Sequence, residues 1–130
     1  FDQKDCAKGA NFPFERALYV ADTVNNRIAV IPIPIIRVSS AGTGITLTTG
    51  GTLNAPLGLV IAPNGHLITV NGDDGFATEI TPRGDQVASE LLDSSGGPPP
   101  GNGALFGLVF DGAGNLFFVD DATNTLNLLN

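Results

Sequence analysis

Short apolar runs alternate with stretches rich in Gly, Pro, Asn and Asp along most of the chain. The run Leu67–Val70, for example, lies between Asn64-Gly65 and the polar stretch Asn71–Gly75. Runs this short with turn residues on both sides are typical of β-strands, and Asn-Gly is a strong hairpin signal. The pattern therefore predicts many short antiparallel strands joined by tight turns, with little helix.

The apolar runs recur with a period of 49 residues. Gly58–Val60 and Gly107–Val109 have identical sequences at this spacing. The runs Leu18–Asp22, Leu67–Asn71 and Leu116–Asp120 fall in one column of the same alignment. Three copies in one register indicate that the chain is built from a repeated structural unit.

Each unit is predicted to contain up to four strands. The second strand, such as Leu116–Val119, is almost continuously apolar, so both of its faces must be covered. Antiparallel sheets packed between neighbouring copies of themselves are the blades of a β-propeller, and we predict an all-β propeller. The predicted strands are 59–61, 67–70, 78–81 and 86–92 in the middle unit, 27–31 and 45–48 in the first, and 108–110, 116–119 and 125–129 in the last.

One segment carries a family resemblance. Leu18–Val30 reads Leu-Tyr-Val-Ala-Asp-Thr-Val-Asn-Asn-Arg-Ile-Ala-Val and resembles the signature of NHL repeats, Leu-Tyr-Val-Ala-Asp-Thr-Gly-Asn-Asn-Arg-Ile. It departs from that signature at Val24, where the family has Gly. Asn115–Leu126 is a looser copy without the Arg, and Gly65–Ile80 is looser still. The resemblance covers nearly the whole chain from Leu18 onward.

The resemblance implies a closed propeller of about six blades with a central channel used for recognition. Many bacterial NHL proteins are extracytoplasmic, and animal members bind RNA or proteins. Related propellers include lactonases and amidating lyases, which hold a metal ion at the mouth of the channel. The resemblance thus predicts the fold more specifically than it predicts the function.

The 49-residue period divides the chain into blades at 1–49, 50–98 and 99–130, the last lacking its fourth strand. This amounts to about two and two-thirds blades. An open arc exposes apolar faces at both ends. We therefore expect either a fragment of a larger propeller or a chain whose copies complete a ring. In both cases the immediate partners are other blades.

Composition narrows the class of partner and the compartment. The chain has 6 basic and 13 acidic residues, a net charge of −7, which disfavours nucleic acid as a partner. No apolar run is long enough to span a membrane. The single cysteine, Cys6, rules out an internal disulfide and is expected to be a free thiol or to pair outside this chain. Low charge with abundant Gly, Thr and Asn favours a secreted or periplasmic protein.

Five positions are predicted to be structural because they recur in the repeat. Asp22, Asn71 and Asp120 share one column, where an Asp or Asn side chain can bind backbone N–H groups and fix the following turn. Gly58 and Gly107 share another column and open the first strand of their units. Arg27 is expected to pair with Asp22 inside its blade.

Candidate catalytic and metal-binding residues are sparse. His66, the single histidine, follows the Asn-Gly turn and is predicted to be exposed. It cannot alone form a zinc site, which usually needs three protein ligands. The doublets Asp73-Asp74 and Asp120-Asp121 lie in equivalent loops and are the candidate Ca²⁺ ligands. The distal Glu of a calcium loop is missing, so the sequence favours no metal, no cofactor and no catalytic residue.

Three functions follow from these observations. The first is a non-catalytic binding scaffold that recognises a protein or a glycan through loops on one face. The second is part of a metal-dependent propeller enzyme, of the lactonase or lyase kind, whose ligands lie on other blades. The third is a self-assembling structural subunit that completes a ring or filament. The sequence leans toward the first.

Overall fold

The computed structural model describes residues 16–130, which form ten β-strands and one short 3₁₀-helix. No helix among these residues is long and apolar enough to cross a membrane. Cys6 and the start of the first predicted blade lie outside the described residues. The strands are β1 (Ala17–Asp22), β2 (Arg27–Pro32), β3 (Ile45–Thr49), β4 (Pro56–Ile61), β5 (Leu67–Asn71), β6 (Phe76–Ile80), β7 (Gln86–Leu91), β8 (Leu105–Phe110), β9 (Leu116–Asp120) and β10 (Thr125–Leu129); the 3₁₀-helix is Pro34–Ile36.

The strands form three antiparallel sheets in chain order. Sheet 1 contains β1–β3, sheet 2 contains β4–β7 and sheet 3 contains β8–β10. Within each sheet, every strand pairs with its neighbour in sequence. Short turns join these strands except between β2 and β3, where residues 33–44 intervene. The prediction of an all-β chain made of antiparallel blades is confirmed.

Successive sheets pack face to face, and their apolar side chains form the core. Between sheets 1 and 2, Ile28 packs with Leu67 and Ile80. Between sheets 2 and 3, one cluster joins Val70 to Leu105. A second cluster there joins Ala62 and Ile68 to Leu116. Strand β5 lies in the middle of this stack and is buried along its whole length.

The repeat is visible in the backbone as well as in the sequence. The pairing of β4 with β5 shifts register between Pro56 and Leu59, and that of β8 with β9 shifts between Leu105 and Leu108. These two irregularities lie 49 residues apart. Each lies in the first strand of its sheet, so sheets 2 and 3 have the same local backbone irregularity.

Gly58 shows why a side chain is excluded from the first strand of sheet 2. A Cβ at this position would collide with the Phe106 carbonyl and the Leu108 side chain of sheet 3. Gly107 holds the same position in sheet 3, where a Cβ would meet only a methyl group of Val119, at 4.0 Å. The backbone approach that requires glycine is therefore observed in sheet 2.

Candidate functional site

The turns that follow β1, β5 and β9 lie at one common edge of the molecule. Because the strands alternate in direction, the turns at 22–27, 71–76 and 120–125 share this edge with the connections between sheets, 49–56 and 91–105. Its turns and connections carry six aspartates and a single basic residue, Arg27, within residues 16–130. We call it the acidic edge; its aspartates are Asp22, Asp73, Asp74, Asp93, Asp120 and Asp121.

Asp22 fixes the first of these turns. Its Oδ1 accepts a hydrogen bond from the Asn25 backbone N–H at 3.3 Å, and its carboxylate also binds the Asn25 side chain. The Arg27 Nε donates to Asp22 Oδ2 at 2.8 Å. The hydrogen bonds from Asn25 and then from Arg27 hold the pKa of Asp22 below its ordinary value. The pairing of Arg27 with Asp22 is thus observed.

The other two members of the column act differently from each other. Asp120 Oδ1 accepts from the Thr123 N–H at 3.1 Å, within its own turn. Asn71 instead donates through Nδ2 to the Thr52 carbonyl at 2.8 Å, in the connection from sheet 1. The turn after Asn71 is capped by Asp74, whose Oδ1 accepts from the Phe76 N–H at 3.1 Å.

Backbone hydrogen bonds tie these turns to the neighbouring connections. Gly72 N–H donates to the Ala55 carbonyl at 2.8 Å, and Gly103 N–H donates to the Gly72 carbonyl at 2.7 Å. The Asp121 N–H donates to the Ala104 carbonyl at 2.7 Å. The turn after Asn71 is therefore anchored from two sides, and the turn after Asp120 from one. Such a surface is held in one conformation before any partner binds.

The four candidate Ca²⁺ ligands do not form a metal cluster. Within residues 16–130, no group of three His, Cys, Asp or Glu side chains lies close enough to hold a metal ion. Asp73 and Asp121 are exposed, whereas Asp74 and Asp120 are engaged in turn hydrogen bonds. At the same edge, hydrogen bonds from Ser95 hold the pKa of Asp93 below its ordinary value.

His66 was predicted to be exposed, and this prediction is wrong. Its side chain is buried at the opposite edge of sheet 2, where Nδ1 lies 2.6 Å from Oε1 of Glu79, which is also buried. The prediction followed from the repeat mates of His66, Ala17 and Asn115, whose blades have Val30 and Leu128 at the position of Glu79. The missed signal was Glu79, a charged residue inside an otherwise uncharged strand.

A cavity of about 170 Å³ lies beside this pair, between sheets 2 and 3. Glu79, Asn64 and Asn130 are the polar residues of its wall, and the other lining residues are apolar or glycine. The imidazole Nε2 of His66 is buried and has no hydrogen-bond partner among the described residues. The lining residues are Ala62, Asn64, Ile68, Glu79, Phe110, Gly114, Leu116, Leu129 and Asn130.

Similar folds occur among solved structures. Virginiamycin B lyase from Staphylococcus aureus, as a catalytically inactive variant with quinupristin, matches 88% of this chain with a TM-score of 0.63 and 18% identity. A streptogramin B lyase structure matches 88% with a TM-score of 0.64 and 13% identity. A protein of unknown function from Bacteroides caccae matches 79% with a TM-score of 0.52 and 14% identity.

These similarities establish the fold. The lyases are β-propellers, and the sheets described here are blades of that architecture. The chain spans 34% of the length of each of the three proteins. No family model and no curated protein matches the sequence.

Proposed function

We propose that the chain is part of an extracytoplasmic NHL-type propeller that serves as a binding scaffold. In this proposal the acidic edge recognises a protein or a glycan, and these blades carry no chemistry of their own. The NHL assignment rests on the signature at Leu18–Ile28. The location outside the cytoplasm rests on composition.

The exposed face of sheet 3 supports completion by a further blade. Val70 of sheet 2 is 1% exposed because it packs on sheet 3, but its repeat mate Val119 is 42% exposed. Ala77 is 0% exposed, and its repeat mate Leu126 is 66% exposed. The positions that sheet 2 buries against its neighbour are thus apolar and uncovered in sheet 3. A blade of the same polypeptide or of a second copy fits this face.

Native mass distinguishes the two sources of that blade. The 130-residue chain has a mass of 13.3 kDa. Discrete oligomers of this chain alone would favour ring completion by copies and thus the self-assembling subunit. A source polypeptide with additional blades, monomeric in solution, would favour the fragment. A soluble 13.3 kDa monomer would contradict both.

The observation that carries the binding role is the preorganised acidic edge. Its turns are fixed by side-chain caps and by backbone bonds to the connections, so little conformational entropy is lost when a partner binds. Asp73 and Asp121 are exposed to solvent on the turns of two successive blades. Their charge favours a partner with a basic patch through electrostatic complementarity.

Charge removal at the edge tests this role. We expect the full-length protein to bind selected members of a glycan array or a panel of basic secreted proteins. Asp73→Asn combined with Asp121→Asn should weaken that binding about tenfold or more. Asp85→Asn with Asp111→Asn removes the same net charge from exposed positions at the opposite edge and should leave binding intact. Equal losses in both double variants would contradict the proposal.

The similar folds of the two lyases favour a second candidate, a propeller enzyme with its metal ligands on other blades. Incubating the full-length protein with quinupristin, followed by mass spectrometry of the products, tests it directly. The scaffold proposal expects quinupristin to remain intact and metal analysis to find no stoichiometric ion. Cleavage that depends on a bound divalent metal would replace the scaffold with the enzyme.

A further inference from the structure

We infer that the cavity between sheets 2 and 3 is a binding site for a small organic cation, a primary ammonium group on a short apolar body, with Glu79 as its counter-ion. This site lies at the edge opposite to the acidic edge and shares no residue with it. The inference is therefore tested independently of the proposed function.

The first argument comes from the repeat. The positions equivalent to Glu79 are Val30 in sheet 1 and Leu128 in sheet 3. A blade of this kind is therefore compatible with an apolar residue at this position, and sheet 2 is the exception. Burying a carboxylate costs free energy that an aliphatic side chain at the same place avoids. A costly charge that the scaffold does not need indicates a role in binding.

The second argument concerns how this charge is compensated. Among the residues lining the cavity, Glu79 is the single ionisable side chain, so no Lys or Arg of the wall faces it. Its one side-chain hydrogen bond within residues 16–130 is the contact with His66 Nδ1 at 2.6 Å. That contact uses Oε1 and holds the carboxylate in place. The second oxygen remains able to accept a hydrogen bond from a ligand.

Donor and acceptor chemistry selects the class of ligand. An ionised carboxylate only accepts hydrogen bonds, and the contact with His66 Nδ1 occupies Oε1 alone. Because the group aimed at the cavity is an anion and an acceptor, it favours a cationic donor. An ammonium group supplies both the charge and the N–H bonds, whereas a carboxylate or phosphate would be repelled.

The size and walls of the cavity define the rest of the ligand. Its volume of about 170 Å³ is close to the roughly 150 Å³ of an engineered protein cavity that binds benzene. The side chains of Ile68, Phe110 and Leu116 provide apolar wall on both sheets. A body about as large as one phenyl ring therefore fits beside the carboxylate.

Benzylammonium is a suitable probe, with benzyl alcohol as its neutral counterpart and benzoate as its anionic one. Chemical-shift titration of the folded full-length protein should show saturable, one-site binding of benzylammonium, with the largest changes at Ala62, Phe110 and Leu129. Benzyl alcohol should bind at least about tenfold more weakly, because it lacks the charge-assisted hydrogen bond. Benzoate should not bind.

Substitutions connect the binding to Glu79. Glu79→Gln keeps the shape of the side chain and should weaken benzylammonium about tenfold or more while leaving benzyl alcohol within about twofold. Glu90→Gln removes the same charge from an exposed position and should have no effect. Glu79→Leu copies Leu128 of sheet 3 and should give a folded protein that does not bind the cation.

Two results would overturn the inference. One is the absence of saturable benzylammonium binding to wild-type protein that is folded by circular dichroism, which would leave a solvent-filled cavity only. The other is equal affinity of wild-type protein and Glu79→Gln, which would show that the apolar wall alone binds the probe. If Glu79→Gln does not fold, Glu79→Leu still tests the inference, because the repeat already has an apolar residue at this position.

Discussion

The two interfaces between sheets are built from the same repeat but use polar groups differently. Between sheets 1 and 2, the Gln86 amide accepts from the Thr52 N–H at 2.7 Å and donates to Thr48 Oγ1 and the Gly50 carbonyl, each at 3.0 Å. Between sheets 2 and 3, the buried pair His66–Glu79 leaves the imidazole Nε2 without a partner among residues 16–130. Each interface has one buried polar atom without a partner among residues 16–130, Asn71 Oδ1 at the first and His66 Nε2 at the second. Only the second interface combines this with a buried carboxylate that lines a cavity.

The difference indicates which polar groups stabilise the fold and which have another use. The Gln86 amide both donates and accepts hydrogen bonds that join two blades. The His66–Glu79 pair lies within sheet 2, and its hydrogen bond contributes no contact across to sheet 3. Polar groups that join blades serve the scaffold, whereas a buried pair within one blade is expected to serve a ligand.

Breaking the pair at the second interface should have the largest effect. His66→Ala leaves the Glu79 carboxylate buried without its partner and should destabilise the protein by about 3–5 kcal/mol. His66→Asn with Glu79→Leu copies sheet 3 and should be within about 1 kcal/mol of wild type or more stable. Urea unfolding followed by circular dichroism measures both. A double variant as unstable as His66→Ala would show that the pair is structural.

Truncating equivalent leucines compares the apolar packing of the two interfaces. Leu67 is enclosed by the cluster between sheets 1 and 2, whereas its repeat mate Leu116 borders the cavity. Leu67→Ala should cost about 3–4 kcal/mol and Leu116→Ala about 2 kcal/mol, because fewer contacts surround Leu116. The same unfolding assay ranks them. The reverse ranking would mean that the cavity closes around Leu116.

Removing the polar bridge of the first interface should have a moderate effect. Gln86→Ala deletes the hydrogen bonds to Thr48, Thr52 and Gly50 and should cost about 1–2 kcal/mol, since the side chain is only half-buried. Glu90→Ala, on the same strand and exposed, is the control and should change stability by less than about 0.5 kcal/mol. Equal effects of the two substitutions would indicate that Gln86 contributes nothing specific.

The smallest effect is expected outside both interfaces, at Asp22. Its pKa is lowered in the folded protein, so its contribution to stability is complete above the ordinary value of 3.8 and is lost as the pH falls through the folded value. The stability difference between wild type and Asp22→Asn should therefore be constant near neutral pH and vanish in strong acid. Thermal unfolding at a series of pH values measures it. A difference that persists at low pH would assign the role of Asp22 to something other than its charge.

Much of the fold was predictable because the blade signal is local and repeated. The strand after the Asn-Gly turn was expected at 67–70 and is observed at Leu67–Asn71. The pairing of Arg27 with Asp22 was also expected, since both lie within one hairpin, across β1 and β2. Turn chemistry and apolar runs act over a few residues, and the 49-residue period then copies them along the chain.

The candidate site was less predictable, because it depends on residues that break the repeat. The repeat aligned His66 with Ala17 and Asn115 and therefore suggested an exposed turn residue. Its burial follows from the pairing of Leu67 with Ile80, which brings β6 and Glu79 alongside the start of β5. Likewise, the shared column did not show that Asn71 binds a connection while Asp120 caps its own turn.

The order of residues is enough to specify a series of antiparallel blades with acidic, Asp-rich turns, because strand and turn preferences are properties of neighbouring residues. Which faces are covered, and which polar groups are buried together, depends on how the sheets pack against one another. Val70 and Val119 are the same residue at the same place in the repeat, and packing alone makes one core and the other surface. The cavity beside Glu79 has the same origin, because it exists only where two sheets meet.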